Sequence, residues 1–313
     1  MQLPEDLQRA VELEIEHCPH ALMQRAADRM TLQYRSEKSS AALFSDPAGV
    51  PAYLAVRLPA TFAAIQCVLE ECARRLPAWQ PRSMVDFGAG PGTGGWAAVQ
   101  IFPSLRSLNN VERSPQMREI GQRIARQSSD RMLSDAAWSD SVCESADLTL
   151  LSYVVAEVNE TERLNLVSRL WNQSQVVVVI EPGTPSGFQR ILRIREWALL
   201  QGAQLIAPCP HSKQCPMEKF RWCHFPARVD RTRIHKLLKG ATLGYEDEKF
   251  SYLVFGKIPV SLPAGRVVDS PKKNKGFVQI SLCSDGCLKE IVVSRKENNY
   301  RDARDLKYGD SWM

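Results

Sequence analysis

The chain has 313 residues, of which 44% are hydrophobic and 24% charged, and it carries a net charge of +5. That balance excludes a collagen-like, low-complexity or disordered chain, and no apolar run approaches the ~20 residues of a membrane span. The length is large for one domain and small for two big ones. Its start, "MQLPEDLQRAVELEIEHC", is acidic and lacks both a secretory apolar core and the Arg-rich character of a transit peptide, which predicts a cytoplasmic chain. Nine cysteines in that compartment read as thiols or metal ligands rather than disulfides.

Helical apolar spacing runs over residues 4–30, carried by Leu7, Val11, Leu13, Leu22, Met23, Ala26 and Met30. A second helix is predicted over 53–76, stopped by Pro77. Strands then alternate with helices: strands at 83–87, 105–111, 147–151 and 176–180, helices near 95–101, 115–127, 160–171 and 186–201. Such alternation predicts an α/β fold, a doubly wound and mostly parallel sheet, in which "VVVVIEP" is a central strand buried on both faces. Beyond residue 201 come a cysteine-rich segment, a helix at 231–239 closed by Gly240, and a strand in "KFSYLVFG". "GFVQISLC" and "CLKEIVVSR" flank Ser284, Asp285 and Gly286 as a hairpin, with "SPKKNKG" (270–276) as the linker before it. The predicted organisation is an N-terminal helical region (1–80), an α/β domain (81–257) with a cysteine-rich insertion at 208–227, and a small C-terminal β module (258–313).

In "MVDFGAGPGTGGWA" an apolar strand leads through Asp86 to Gly88, Gly90 and Gly92 and then into a helix. Glycines permit a tight turn and close approach of the backbone, and the helix N-terminus offers N–H donors. The G-x-G-x-G spacing after an acidic residue fits the S-adenosylmethionine (SAM) turn of class I methyltransferases. Gly90, Gly92 and Gly95 also satisfy the dinucleotide pattern, but the apolar-Asp-apolar lead-in and Gly88, two residues after Asp86, favour SAM. Glu112, in "NNVERS", is placed to accept from ribose hydroxyls. No D/N-P-P-Y tetrad follows the strand at 147–151; Ser152, Tyr153 and Glu157 line the site, and no catalytic residue is assigned. Methyl transfer can proceed by proximity and orientation alone, so the absence of an evident base does not exclude activity, and it leaves room for a chain that binds SAM without turnover.

"CPHSKQCPMEKFRWCHF" gathers Cys209, Cys215 and Cys223, in a spacing unlike the paired cysteines of a zinc finger. A four-thiolate iron–sulfur or zinc site needs a distant fourth ligand, either Cys283 or Cys287, with His211 and His224 as competing donors. Residues 208–240 also hold eight Lys/Arg against Glu218 and Asp230. A solvated face or a phosphate-contacting surface built on Arg221, Arg228, Arg231 and Arg233 both satisfy that excess.

Taken together, "DFGAGPGTGGWAA", "VIEPGTPSGF", "APCPHSKQCPM", "WCHFPARVDR", "GYEDEKFSYLVF" and "YRDARDLKYGDSW" resemble the methyltransferase-like proteins of the mitochondrial small ribosomal subunit (the Rsm type) and their bacterial homologues, from about Tyr53 onward. The resemblance implies a class I methyltransferase-like fold, SAM at Asp86, Gly88, Gly90 and Gly92, and association with the small ribosomal subunit and its rRNA. It also implies a 4Fe-4S cluster, with zinc as the alternative, on Cys209, Cys215, Cys223 and Cys283, the last preceding a "DG" turn. A catalytically inactive rRNA-binding assembly protein is the alternative function. Neither a membrane nor an obligate oligomer is expected.

Overall fold

Proline sets the first breaks in the chain. In a computed structural model, which describes residues 1–35, 44, 46–141, 145–219 and 221–312, two helices, α1 (Glu5–Ile15) and α2 (His20–Arg35), stand where one was expected. Pro19 separates them, because its ring disfavours a helical residue before it and supplies no N–H. The next helix is likewise divided into α3 (Gly49–Val56) and α4 (Leu58–Arg75), bent by 45° with Pro59 in the first turn of α4. Together these two are apolar enough to resemble a broken membrane span, but their apolar residues are buried: Leu54, Leu58, Phe62, Ile65 and Leu69 lie in the main core.

The α/β region follows in order: β1 (Ser83–Phe87), α5 (Thr93–Ile101), β2 (Ser107–Val111), α6 (Pro115–Ala125), α7 (Arg131–Ser134), β3 (Ala137–Ser139) and β4 (Ala146–Ser152). It continues with α8 (Glu160–Asn172), β5 (Ser174–Pro182), α9 (Pro185–Leu200), β6 (Gln204–Ala207), β7 (Phe225–Asp230), α10 (Arg233–Leu238) and β8 (Tyr245–Gly256). The sheet order is β3-β2-β1-β4-β5-β8-β6. Neighbouring strands from β3 to β5 are parallel, and β8 runs antiparallel to both β5 and β6. A reversed strand slotted between the fifth and the outermost strand is the class I methyltransferase order. Val176 to Ile180 are wholly buried, as an unbroken β-branched run in a sheet covered on both faces must be.

The edge beyond β8 has an unusual construction. Ala207 of β6 pairs with Val254, and Phe225 of β7 pairs with Phe250 on the same long strand. β6 and β7 therefore lie in line along one edge, and residues 208–224 leave the sheet between them and return. Cys143 falls outside the described residues.

A second sheet holds β9 (Gly265–Val267), β10 (Lys272–Asn274), β11 (Phe277–Ser284), β12 (Cys287–Ser294) and, after α11 (Tyr300–Asp305), β13 (Ser311–Trp312). Asp285 and Gly286 turn from β11 to β12 with φ of +51° and +82°, the paired positive values a two-residue hairpin loop demands. The stretch read as a linker at 270–276 contains β10, whose Lys272 to Asn274 pair with Gln279 to Phe277 across a turn at Gly276. Three lysines had concealed a strand with all of its residues exposed.

Candidate functional site

Between β1 and α5 the chain turns through Gly88, Gly90 and Gly92 at φ of +75°, +55° and +84°, a left-handed region that L side chains avoid. A Cβ on Gly88 would stand 2.3 Å from Val154 Cγ2, so that glycine is also required by packing. Asp86 is buried and accepts a hydrogen bond from the Gly94 N–H at 3.1 Å, which fastens the end of β1 to the first turn of α5. Burial pushes its carboxyl up to about 7. Gly94, outside the G-x-G-x-G spacing, is what admits this carboxylate: its Cβ would lie 2.4 Å from Asp86 Oδ2. Glu112, just past β2, accepts from the Gly90 N–H at 2.9 Å and from the Ser114 N–H at 2.8 Å. It therefore clamps the turn, and each oxygen keeps a lone pair for a ligand hydroxyl.

Whether this turn suits a polar ligand is tested by the atoms around it. Thr93 Oγ1, Asn110 Oδ1 and Ser152 Oγ are shut off from solvent without a hydrogen-bond partner among the described residues. They belong to α5, β2 and β4, which surround the glycine turn. Orphaned buried polar atoms are costly and rare, and a bound group with donors and acceptors would satisfy them. A Cβ on Gly90 would meet only Tyr53 Oη, at 3.8 Å, so there is room above that residue. The residues present fit SAM.

Just past β4 stands a cluster of mutually bonded side chains. Tyr153 has φ +61°, a strained value for an aromatic residue, and its hydroxyl donates to Glu248 Oε1 at 3.0 Å. Arg57 donates to both Glu248 oxygens at 3.3 Å and lies over the Tyr153 ring at 5.7 Å. Burial first, then the Glu248 carboxylate, pushes the Tyr153 phenol well above its usual range. Glu181, at the end of β5, accepts from the Val155 N–H at 3.1 Å and pairs with buried Arg190 at 2.6 Å, which holds the backbone after Tyr153 in place. Tyr53 and Arg57 belong to no quoted motif, and Glu248 lies in "GYEDEKFSYLVF", to which the sequence assigned no site role. Their only sequence signal is the acidic run Glu246, Asp247, Glu248 on β8.

That run also answers the charge question. Arg228 pairs with Asp247 at 2.9 Å, Arg231 with Glu246 at 2.8 Å, and Arg221 with Asp269 at 3.0 Å. Three of the four arginines read as phosphate-facing are thus engaged within the chain, whereas Arg233 is exposed.

The cysteine segment is organised from outside itself. Arg195 of α9 is 3% exposed; it donates from Nε to Cys209 Sγ at 3.3 Å and from Nη2 to the carbonyls of His211 and Lys213 at 3.0 and 2.7 Å. Cys283, near the end of β11, lies 3.3 Å from His211 Nε2. The Cys223 thiol is pushed well above its usual range, by burial first and then by Cys209, Cys215 and Cys283, and burial raises Cys283 to about 12. Cys209 and Cys215 thus act on both Cys223 and Cys283, while Cys287 is exposed at the start of β12. Among the described residues they do not already stand at coordinating distances. Four soft thiols, Cys283 buried and the other three half-buried, near the guanidinium groups of Arg195 and Arg266 are nonetheless a donor set suited to thiolate-held iron–sulfur or zinc. His224 is engaged elsewhere, its ring stacked on Trp222 at 5.5 Å and edge-on to Tyr308 at 5.7 Å.

The strand order and the clamped glycine turn define a class I methyltransferase-like protein. Residues 47–313 match the family described as "Mitochondrial small ribosomal subunit Rsm22", and the chain belongs to that family. It is 26% identical over 284 residues to the human mitochondrial ribosome assembly protein METTL17, covering 82% of this chain and 61% of that protein. With the Rsm22-cox11 tandem protein 2 of Schizosaccharomyces pombe, also mitochondrial, it shares 24% identity over 83% of this chain and 42% of the other. The chain thus spans about three fifths or less of the length of these curated relatives. Among solved structures, the magnesium protoporphyrin IX methyltransferase of Synechocystis is similar over 64% of this chain and 80% of that one, at 10% identity and a TM-score of 0.40. The cytoplasmic expectation is overturned: the relatives are mitochondrial proteins, which points to mitochondria rather than the cytoplasm. The composition of residues 5–35 misled because these helices are core-packed, with Leu7, Val11, Met23 and Met30 buried, so it reports packing and not an address.

Proposed function

We propose that this protein is a SAM-binding, methyltransferase-like factor of small ribosomal subunit assembly that acts on or with ribosomal RNA. The observation that carries the reading is the glycine turn, clamped by Asp86 and Glu112 and ringed by unsatisfied polar atoms, in a chain of this family. Relatives named as ribosome assembly proteins support the partner, an immature small subunit and its rRNA. The test is incubation with methyl-labelled SAM and small-subunit precursors. Label in rRNA establishes turnover, whereas SAM binding without label on any precursor leaves the second reading, a non-catalytic rRNA-binding assembly protein. The Tyr153–Glu248–Arg57 cluster beside the end of β4 favours that second reading, since its phenol and carboxylate are engaged with each other and with Arg57.

Cys209, Cys215, Cys223 and Cys283 would hold a 4Fe-4S cluster, or zinc as the alternative. The group would supply a cross-link between segment 208–224 and the second sheet, adding to folding stability. Protein purified without oxygen should be brown. Cys283→Ser should lose the colour and expose residues 258–313 to protease, while Cys287→Ser, at an exposed position, should change neither. A colourless preparation with stoichiometric zinc would replace the cluster by zinc, and the reverse mutant pattern would move the fourth ligand to Cys287.

A further inference from the structure

A cavity of about 910 Å³, lined by none of the residues of the glycine turn, opens between α1, the start of α2 and α10. Ile15 and Met23 form its buried floor, and Ile234 and Leu237 its far wall, with Leu237 left 54% exposed. A single exposed leucine is ordinary, but one overhanging an open apolar cavity is the usual mark of an interaction site. The rims carry opposite charge: Glu12 and Glu16 along α1, Arg233 and Lys236 along α10. Among the described residues none of the four has an ion pair; Glu12 accepts only from Gln8.

These charges do not serve their own helices. Glu16 caps the C-terminal end of α1, which has no basic residue in its last turn, so an acid sits at the negative end of the helix dipole. Arg233 opens α10, a base where an acid would be favourable. An unpaired acidic rim disfavours phosphate, and the apolar floor offers a base nothing polar to read, so the occupant is protein rather than RNA. One wall, α1 with the start of α2, lies outside the 47–313 stretch that matches the family, so the groove is not a feature of the family pattern.

We propose that this groove docks an amphipathic helix of a partner protein, its apolar stripe on Ile15, Met23 and Leu237, a basic flank against Glu12 and Glu16, and an acidic flank against Arg233 and Lys236. The probe is a stapled helical peptide with leucines at i, i+3, i+4 and i+7, lysines on one flank and glutamates on the other. Reversing a helix on its apolar face exchanges its flanks, so the controls are peptides with both flanks Lys or both Glu. Fluorescence anisotropy should show micromolar binding of the mixed peptide and roughly tenfold weaker binding of either control, from two mismatched rim charges. Glu12→Lys/Glu16→Lys should re-rank the series so that the all-Glu peptide binds best. Leu237→Asp should abolish binding with the thermal melt unchanged, since the side chain is more than half exposed. No binding of the mixed peptide, or no re-ranking in the charge-swapped protein, would overturn the proposal. So would a concentration-dependent dimer that Leu237→Asp dissolves, because the occupant would then be a second copy.

Discussion

Gly90→Ala should leave the protein folded and cost it SAM binding, whereas Gly88→Ala should damage the fold as well. Both glycines have positive φ, which costs an L residue about 1–2 kcal/mol. At Gly90 the added methyl meets nothing closer than Tyr53 Oη at 3.8 Å. It would project into the space over the turn, so calorimetry should show at least ~10-fold weaker SAM binding, about 1.4 kcal/mol, with the melt lowered only by the ~1–2 kcal/mol of backbone strain, roughly 3–6 °C. At Gly88 the methyl would lie 2.3 Å from Val154 Cγ2, adding overpacking of about 1–3 kcal/mol. The sum, about 2–5 kcal/mol, corresponds to roughly 5–15 °C in Tm for a domain of this size. If Gly90→Ala binds SAM like the wild type, the ligand does not lie over the turn; if the wild type binds NAD and not SAM, the cofactor assignment reverses.

Arg266→Ala should destabilise the protein by about 3–5 kcal/mol, the cost of breaking a buried pair and leaving two carbonyls without their donor, although Glu71 keeps its ion pair with Arg74. Arg266 sits in β9, 2% exposed, with Nη2 2.7 Å from Glu71 Oε1 of α4. Those two atoms are close without being well aligned for a hydrogen bond, so their attraction is chiefly electrostatic. The same guanidinium donates from Nε to the Pro208 carbonyl at 2.8 Å and from Nη1 to the Gly309 carbonyl at 2.9 Å. One side chain thus ties the second sheet to α4, to the residue before Cys209 and to the C-terminal segment. Urea unfolding should show the loss, and protease should cut within 257–264 between the two sheets. Arg266→Met/Glu71→Leu should recover much of the stability, because no uncompensated charge is left behind. A loss below ~1 kcal/mol in Arg266→Ala would mean that solvent reaches the pair and screens it.

The strands 83–87 and 176–180, the glycine turn with Asp86, and the β11–β12 hairpin were legible because their signals are local: apolar runs, positive-φ residues and turn chemistry lie within a few residues of one another. The helical breaks near residues 19 and 57 were underestimated, since apolar periodicity continues across both and only backbone geometry interrupts it. The candidate cofactor residues were likewise read from one short motif and the strand after it.

What tertiary structure alone decided is whatever depends on register and on distance in sequence. Arg228 and Asp247 become direct opposites only once β7 pairs with β8, and that pairing engages an arginine that the sequence shows only as part of a basic stretch. Tyr53, Arg57, Tyr153 and Glu248 come from three separate parts of the chain and meet only because α3, α4 and β8 pack around the end of β4. Because β6 and β7 share one edge of β8, segment 208–224 must leave the sheet and return, and Arg195 and Arg266 then fix where its thiols lie relative to Cys283. Composition and periodicity determined the layers and the turn; side-chain pairs between distant segments, which no local pattern encodes, determined which charges are left to act and what surrounds the site.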